Sequence, residues 1–421
     1  MKRLAILIIT ALLCVSTAGC QKNQPQPQTE NSMFSSADES AENKDEEDDI
    51  YHILNEVVDK DGNHIGEIKT NGAVTLTNQG IFYTTVTASS HSSDTMTVRT
   101  SQKEIITYHL YNPEQNEHYE LGSVPDQDYE AGYLRTEINH QLYTLITTGN
   151  ALDNIPDPLL LLAFDLTSHS LKQYRISDNG FPYSAMTEVD GNLLIMNHDQ
   201  QKTLYDKLIL FDTQSGESRQ VLQFELTDNQ GDSIRQMHCD GENIYLLRLH
   251  FENENNVTMF LDTYDRNFQK LSEKDISSMA RESIAKTHVP EDITNEMKQM
   301  VNRFIVLDKQ YVYYENFSTT RFLGNIQNGE LFNEADDWFL ASSGSGKPFF
   351  CYIFGGNNSV AENAVFSWNN GSLEKSVFTA DDKRYYITSI SVNPNGKRLI
   401  QMEYVNPDNR NDTLSAKLYY L

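Results

Sequence analysis

The stretch Lys207–Gln223, KLILFDTQSGESRQVLQ, decides how the chain reads. An alternating apolar run meets an acidic residue, then a turn holding Gly216, then a second short run. That pattern makes two antiparallel strands joined by a tight connection. Versions recur at Ile105–Leu121 (IITYHLYNPEQNEHYEL), Leu160–Ile176 (LLLAFDLTSHSLKQYRI), Thr258–Leu271 and Asn363–Phe378 (NAVFSWNNGSLEKSVF). Phe164, Phe211 and Tyr264 follow one another at intervals of roughly 50 residues, the spacing of a repeat built from small sheets. One hairpin cannot bury its own apolar face, whereas a ring or stack of them can.

Outward from that hairpin the units run in order as Gly72–Val124, Ala131–Ile176, Tyr183–Phe224, Ile234–Leu271, Arg303–Leu331, Asp337–Phe378 and Tyr385–Tyr420. Asp190-Gly191 and Asp240-Gly241 occupy matching turn positions between apolar runs. Asp308-Lys309 stands in the same place further on, and Asn393–Gly396 (NPNG) is another strong turn. The expected fold is therefore all-β: a β-propeller, read as seven four-stranded blades. Six or eight remain open, because Asn316–Asp337 is ambiguous. The last unit is one strand short, while Tyr51–Val58 and His64–Ile68 are left over at the start. Pairing of these N-terminal and C-terminal strands closes the ring and removes an exposed edge. Neither the WD repeat nor the kelch double glycine is present, so the resemblance is to secreted, irregular bacterial propellers in general.

The pattern breaks at 275–300, where Ile276, Met279, Ile284, Met297 and Met300 stand among charges and Pro290 divides the segment. It reads as a small helical insertion covering a face or edge of the sheet ring.

The N-terminus is different in kind. Lys2 and Arg3 precede an apolar run, Leu4–Val15, and Ser16–Gly19 are small. A basic start, a short apolar core and small residues make an export signal. The run is shorter than the roughly 20 residues a spanning helix needs. Thr17-Ala18-Gly19-Cys20 resembles the lipobox of bacterial lipoproteins, with Thr17 where that family usually has Leu. The resemblance implies cleavage before Cys20 and acylation of its thiol. It implies a lipid bilayer as partner and a cell-membrane location facing outside the cytoplasm. The expected domains are a signal peptide at 1–19, the lipidated Cys20 with an acidic tether at 20–49, and a propeller at 50–421. Asp38–Asp49 is dense in acids with Lys44 the single base, so it stays solvated.

Composition limits the partners. The 421 residues hold 33 Lys plus Arg against 60 Asp plus Glu, a formal charge of -27. Nucleic acid is a poor electrostatic partner for such a chain. A monomeric domain meeting an envelope protein or a glycan is the expectation.

No motif commits the chain to a reaction. Cys239 and Cys351 each lie in an apolar strand and read as buried small side chains, with a disulfide as the alternative. His198, His238 and His250 have no metal-ligand spacing. Asp59, Asp61 and Asn63 have the flavour of a calcium loop without its distant Glu. Gly344-Ser345-Gly346 lacks the helix of a nucleophile elbow, and Gly355–Asn358 lacks the Lys of a phosphate loop. Asn-x-Ser/Thr triplets at Asn256, Asn316, Asn357, Asn370 and Asn411 reflect an Asn-rich composition. The expectation is thus no catalytic residue, metal or cofactor, and a non-enzymatic binding or scaffolding protein. The alternative is an extracytoplasmic hydrolase or lyase acting on carbohydrate or peptide at the channel mouth.

Overall fold

The computed structural model describes residues 53–70, 74–88, 104–125, 128–129, 135–148, 158–178, 185–197, 205–227, 230–253, 255–286, 292–316, 320–332, 338–340, 342–343, 348–352, 364–378, 385–405 and 413–421. The signal peptide, Cys20, the tether, His198, Pro290, Gly344–Gly346 and Gly355–Asn358 lie outside them. The chain divides into two units. Met1–Glu46 with Phe354–Ser359 falls outside the described residues, and Glu47–Ile353 with Val360–Leu421 holds every sheet.

Seven sheets follow one another along the chain, making a seven-bladed β-propeller. Blade 1 runs Thr75–Leu76, Ile81–Ala88, Glu104–Asn112 and Glu117–Pro125 from the inside outward. Blade 4 is the longest-stranded: Gly231–Cys239, Ile244–Asn253, Asn256–Tyr264 and Lys270–Asp275.

The core is a ring of seven hydrophobic clusters, each filling the gap between two neighbouring blades. This explains the unbroken apolar run in Leu159–Asp165. Leu160, Leu162 and Phe164 point toward blade 1, whereas Leu159, Leu161 and Ala163 point toward blade 3. A strand buried on both faces has no polar side to alternate with. Outermost strands face water on one side and lose the pattern: Lys270–Asp275 is exposed throughout.

The ring closes as expected, with a refinement. Ile53–Val58 lies parallel to Thr413–Tyr420, Val57 facing Leu418, in blade 7. His64–Thr70 then adds antiparallel to Ile53–Val58 as one more strand. Ser342–Ser343 pairs parallel with Ile390 and Ser391 on the channel side. Blade 7 therefore has six strands.

Uniform four-stranded blades are corrected at blade 5. Among the described residues it has three strands, Val301–Leu307, Tyr311–Asn316 and Arg321–Asn325. Helices α1 (Ser277–Ile284) and α2 (Ile293–Met297) supply the missing cover. Ile276, Met279, Ala280, Ile284 and Met297 join the apolar cluster between blades 4 and 5. The Ser283 hydroxyl donates to the Arg321 carbonyl oxygen at 2.7 Å, satisfying an acceptor on the strand's open edge. Among the described residues no helix is long and apolar enough to cross a membrane.

Candidate functional site

The two ends of the ring differ. At one end the first and second strands of each blade meet in short turns. Asn139-His140 and Asp308-Lys309 take left-handed backbone conformations there, and so do Asp190 and Gly191. At the other end the chain passes from blade to blade and from second to third strand. That end carries the helical segment and most of the long connections. Loops of this kind, set on a rigid scaffold, are where binding and catalysis concentrate. It is called the open end below.

Among the described residues three charged groups, Glu315 and Arg235 buried and Glu403 half-buried, each lie between a different pair of blades. The first is Glu403, on Arg398–Val405 of blade 7. Leu399, which shares its strand face, packs toward blade 1. Burial raises the Glu403 carboxyl above its ordinary value, and a hydrogen bond with Thr388 opposes this. The amide nitrogen of Gln401 lies 3.5 Å from Glu403 Oε1. Thr388 sits in an irregularity of the inner strand, between Ile387 and Ser389. Such a bulge re-aims a side chain out of the ladder.

The second is Glu315 in blade 5, with its oxygens already held. Tyr313 Oη donates to Oε2 at 2.8 Å, and Asn302 Nδ2 to Oε1 at 3.2 Å. Arg321 Nε stands 3.8 Å away. The Tyr313 hydroxyl also accepts the Leu340 backbone N–H, tying blade 5 to blade 6. Burial drives its pKa well up, so it remains a donor.

The third is Arg235 on the inner strand of blade 4, in the irregularity between Ile234 and Gln236. Its guanidinium carbon lies 5.7 Å from the Phe251 ring centroid. Blade 4 also holds an ionic network on its other face. Arg248 Nε donates to Asp262 Oδ2 at 2.7 Å, and its Nη2 to Glu273 Oε2 at 2.7 Å. Asp232 takes a third bond from Arg248 and faces His250 Nδ1 at 2.9 Å. This network satisfies itself and holds together the four strands of the blade.

The residues singled out in the sequence fare variously. Cys239 and Cys351 are free thiols. Burial pushes Cys351 up to about 12 and raises Cys239 as well, which makes both poor nucleophiles. Asp59 spends its carboxylate on its own turn, accepting from the Asp61 and Asn63 N–H groups and from Asn63 Nδ2. His238 and His250 are not brought together. Among the described residues no cluster of three or more His, Cys, Asp or Glu is placed to hold a metal ion. Arg235, Glu315 and Glu403 went unnoticed in the sequence. The available signal was a charge inside an otherwise apolar strand, as in SIRQMHC, YVYYEN and LIQMEYV.

Comparison with known proteins bears on the fold. No family model matches the chain, and no curated protein does. Solved structures do match. The β-propeller domain of the Trilobed protease from Pyrococcus furiosus is 11% identical over 68% of this chain and 79% of that one, with a TM-score of 0.37. Acylaminoacyl peptidase from Pyrococcus horikoshii is 10% identical over 68% of this chain and 44% of that one, with a TM-score of 0.40. A putative 6-phosphogluconolactonase from Bacteroides uniformis is 12% identical over 85% of this chain and 93% of that one, with a TM-score of 0.33. This chain is like all three in fold. It spans less than half the length of the peptidase.

Each of these neighbours is described as an enzyme or part of one. The expectation of a non-enzymatic binding or scaffolding propeller is corrected on that finding. At these scores the likeness assigns no residue and no reaction to this chain, so the chemistry has to come from its own side chains.

Proposed function

We propose that this chain is an extracytoplasmic hydrolase or lyase acting on carbohydrate at the open mouth of its channel. The observation that carries the reading is Glu403. A carboxyl whose pKa is raised by burial holds its proton closer to neutral pH, as a general acid must. Thr388 and Gln401 orient it. In hydrolysis Glu403 gives its proton to the glycosidic oxygen as the carbon–oxygen bond breaks. Water then adds to the sugar carbon and returns a proton to the carboxylate. Glu315 has its oxygens held by Tyr313 and Asn302, so it fixes the strands of blade 5 rather than transferring protons.

Anchoring belongs to the same proposal. Cleavage before Cys20 and acylation of its thiol would hold the domain at a cell membrane, outside the cytoplasm, with the acidic segment as spacer. The domain works there as a monomer, and nucleic acid is not its substrate.

The test is turnover of a panel of chromogenic glycosides, polysaccharides and peptidyl anilides by the purified chain, beside Glu403→Gln. A general acid contributes on the order of 10²–10⁴-fold, so the variant should lose at least about 100-fold on a glycan while keeping its melting temperature. Cleavage of peptides alone, or a glycan rate unchanged in Glu403→Gln, would sink the reading. The anchor is checked by mass spectrometry of the mature N-terminus, where an unmodified Cys20 rules it out.

A further inference from the structure

Among the described residues Arg235 is a charge with no carboxylate paired to it. It is 7% exposed, and its Nε finds no hydrogen-bond partner among the described residues. Among those residues no carboxylate forms an ion pair with it, although Arg248 in the same blade has three. The groups that act on it electrostatically are the hydroxyls of Tyr314 and Tyr205. Burial lowers its pKa to about 10, which still leaves it charged at neutral pH. Taking a lone guanidinium out of water is costly unless something pays with the opposite sign.

The Tyr314 hydroxyl is buried, with the Asn316 side chain beside it and the Glu296 carboxylate acting on it as well. Burial raises its pKa, so it keeps a proton to donate. Phe251 backs the guanidinium and stops it turning away. Tyr205 enters through its backbone bridge to Ile234, immediately before Arg235. On the next inner strand Arg303 stands as far before Leu307 as Arg235 stands before Cys239, and its Nη1 is likewise buried and unbonded. Arg303 acts on Tyr313 and Cys351, toward blade 6, so it belongs to the neighbouring gap.

We infer that Arg235 and the Tyr314 hydroxyl form a seat for an oxyanion, a carboxylate or phosphate group carried by the substrate, between blades 4 and 5 below the open end. The guanidinium offers its parallel N–H groups to two oxygens and the phenol donates a third bond. The identity of the ligand as a substrate rests on the hydrolase or lyase reading, whereas the seat itself does not. Together they specify an anionic saccharide.

Titration calorimetry of the full chain with galacturonate, with inorganic phosphate and with neutral galactose tests the seat. Galacturonate or phosphate should bind and galactose should not. Tighter galacturonate marks a sugar acid as the ligand, and tighter phosphate marks a sugar phosphate. Arg235→Met should weaken the bound anion at least tenfold. Tyr314→Phe, which keeps the packing, should weaken it several-fold and guards against a misfolded first variant. Absence of anion binding in the wild type, or equal binding in folded Arg235→Met and Tyr314→Phe, overturns the seat. Turnover of neutral glycans without anion binding removes the seat and leaves the reaction. Anion binding without glycan turnover does the reverse.

Discussion

Gly66 lies directly against the hydroxyl of Tyr111. A Cβ built on Gly66 would overlap that oxygen and come within 2.8 Å of the ring carbon bearing it. Gly66 belongs to the added N-terminal strand of blade 7, and Tyr111 is a fully buried residue of blade 1. The Tyr111 hydroxyl donates to Asn116 Oδ1 at 3.0 Å, so it cannot swing aside without losing that bond. The N-terminal hairpin therefore does more than finish the last blade. It clamps the last blade to the first. Gly66→Ala should destabilise the fold by about 1–3 kcal/mol through overpacking. Tyr111→Phe in the same chain should recover part of the loss, because it removes the nearest of the three clashing atoms. Equal melting temperatures for wild type and Gly66→Ala would show that the contact is slack.

A second prediction concerns acid. The Val306 backbone N–H of blade 5 donates to His238 Nδ1 in blade 4 at 3.3 Å. That bond requires a neutral ring with an unprotonated Nδ1. Burial lowers the His238 pKa from 6.5 to about 4. As pH falls, the unfolded chain takes up the proton first, so the folded state loses stability from pH 6.5 down to about 4. The loss is at most about 3 kcal/mol. Urea melts of wild type and His238→Gln at several pH values should differ in slope across that window and run parallel above it.

How much of this was legible beforehand depends on what a residue's neighbours in sequence reveal. Asp190-Gly191 announces its hairpin, because two successive left-handed residues suit few other pairs. Leu159–Asp165 announces a strand buried on both faces. The spare N-terminal strands announced closure, though not that Val57 would run parallel to Leu418. Blade 5 was read with the others, since nothing local says that its fourth strand shrinks to a bridge between Leu331 and Gly324, with a helix covering the rest. That arrangement depends on Met279 and Ser283 meeting Gly324 and Arg321, residues far along the chain. Arg235, Glu315 and Glu403 were hidden for a related reason. A charge within a strand looks like its solvent face until the register shows that both faces are covered.

The ionic network of blade 4 yields a third prediction. Asp262 is fully buried. Besides Arg248, Lys270 Nζ lies 3.1 Å from Asp262 Oδ1. Arg248→Met leaves that buried carboxylate with the partly exposed lysine alone. Breaking one partner of such a pair costs on the order of 3–5 kcal/mol. The double change Arg248→Met with Asp262→Leu should be milder than the single one, because it removes the stranded charge as well. A double variant as unstable as the sum of its parts would mean that the network contributes through packing rather than charge.

The first hairpin turn of blade 5, which is hydrogen-bonded to blade 6, gives the last. Asp308 adopts a left-handed backbone conformation, with φ of 50°, at the tip of its hairpin. From there one oxygen, Oδ2, accepts both Trp368 Nε1 at 2.7 Å and the Gly371 N–H at 2.9 Å. Trp368 packs in the cluster shared by the two blades, and Gly371 is itself left-handed at the facing turn. One carboxylate thus fixes two hairpin tips in different blades. Asp308→Ala removes the shared acceptor and leaves the indole N–H of a nearly buried residue unpaired. Hydrogen bonds to charged groups contribute roughly 1.5–3 kcal/mol, so a loss of that order is expected. Asp308→Asn keeps an acceptor at the same reach and tolerates the same backbone conformation, so it should retain most of the stability. Trp368 fluorescence during urea unfolding separates the cases. Alanine and asparagine variants that melt together would show that the backbone conformation at the tip, and not its acceptor, holds the blades in line.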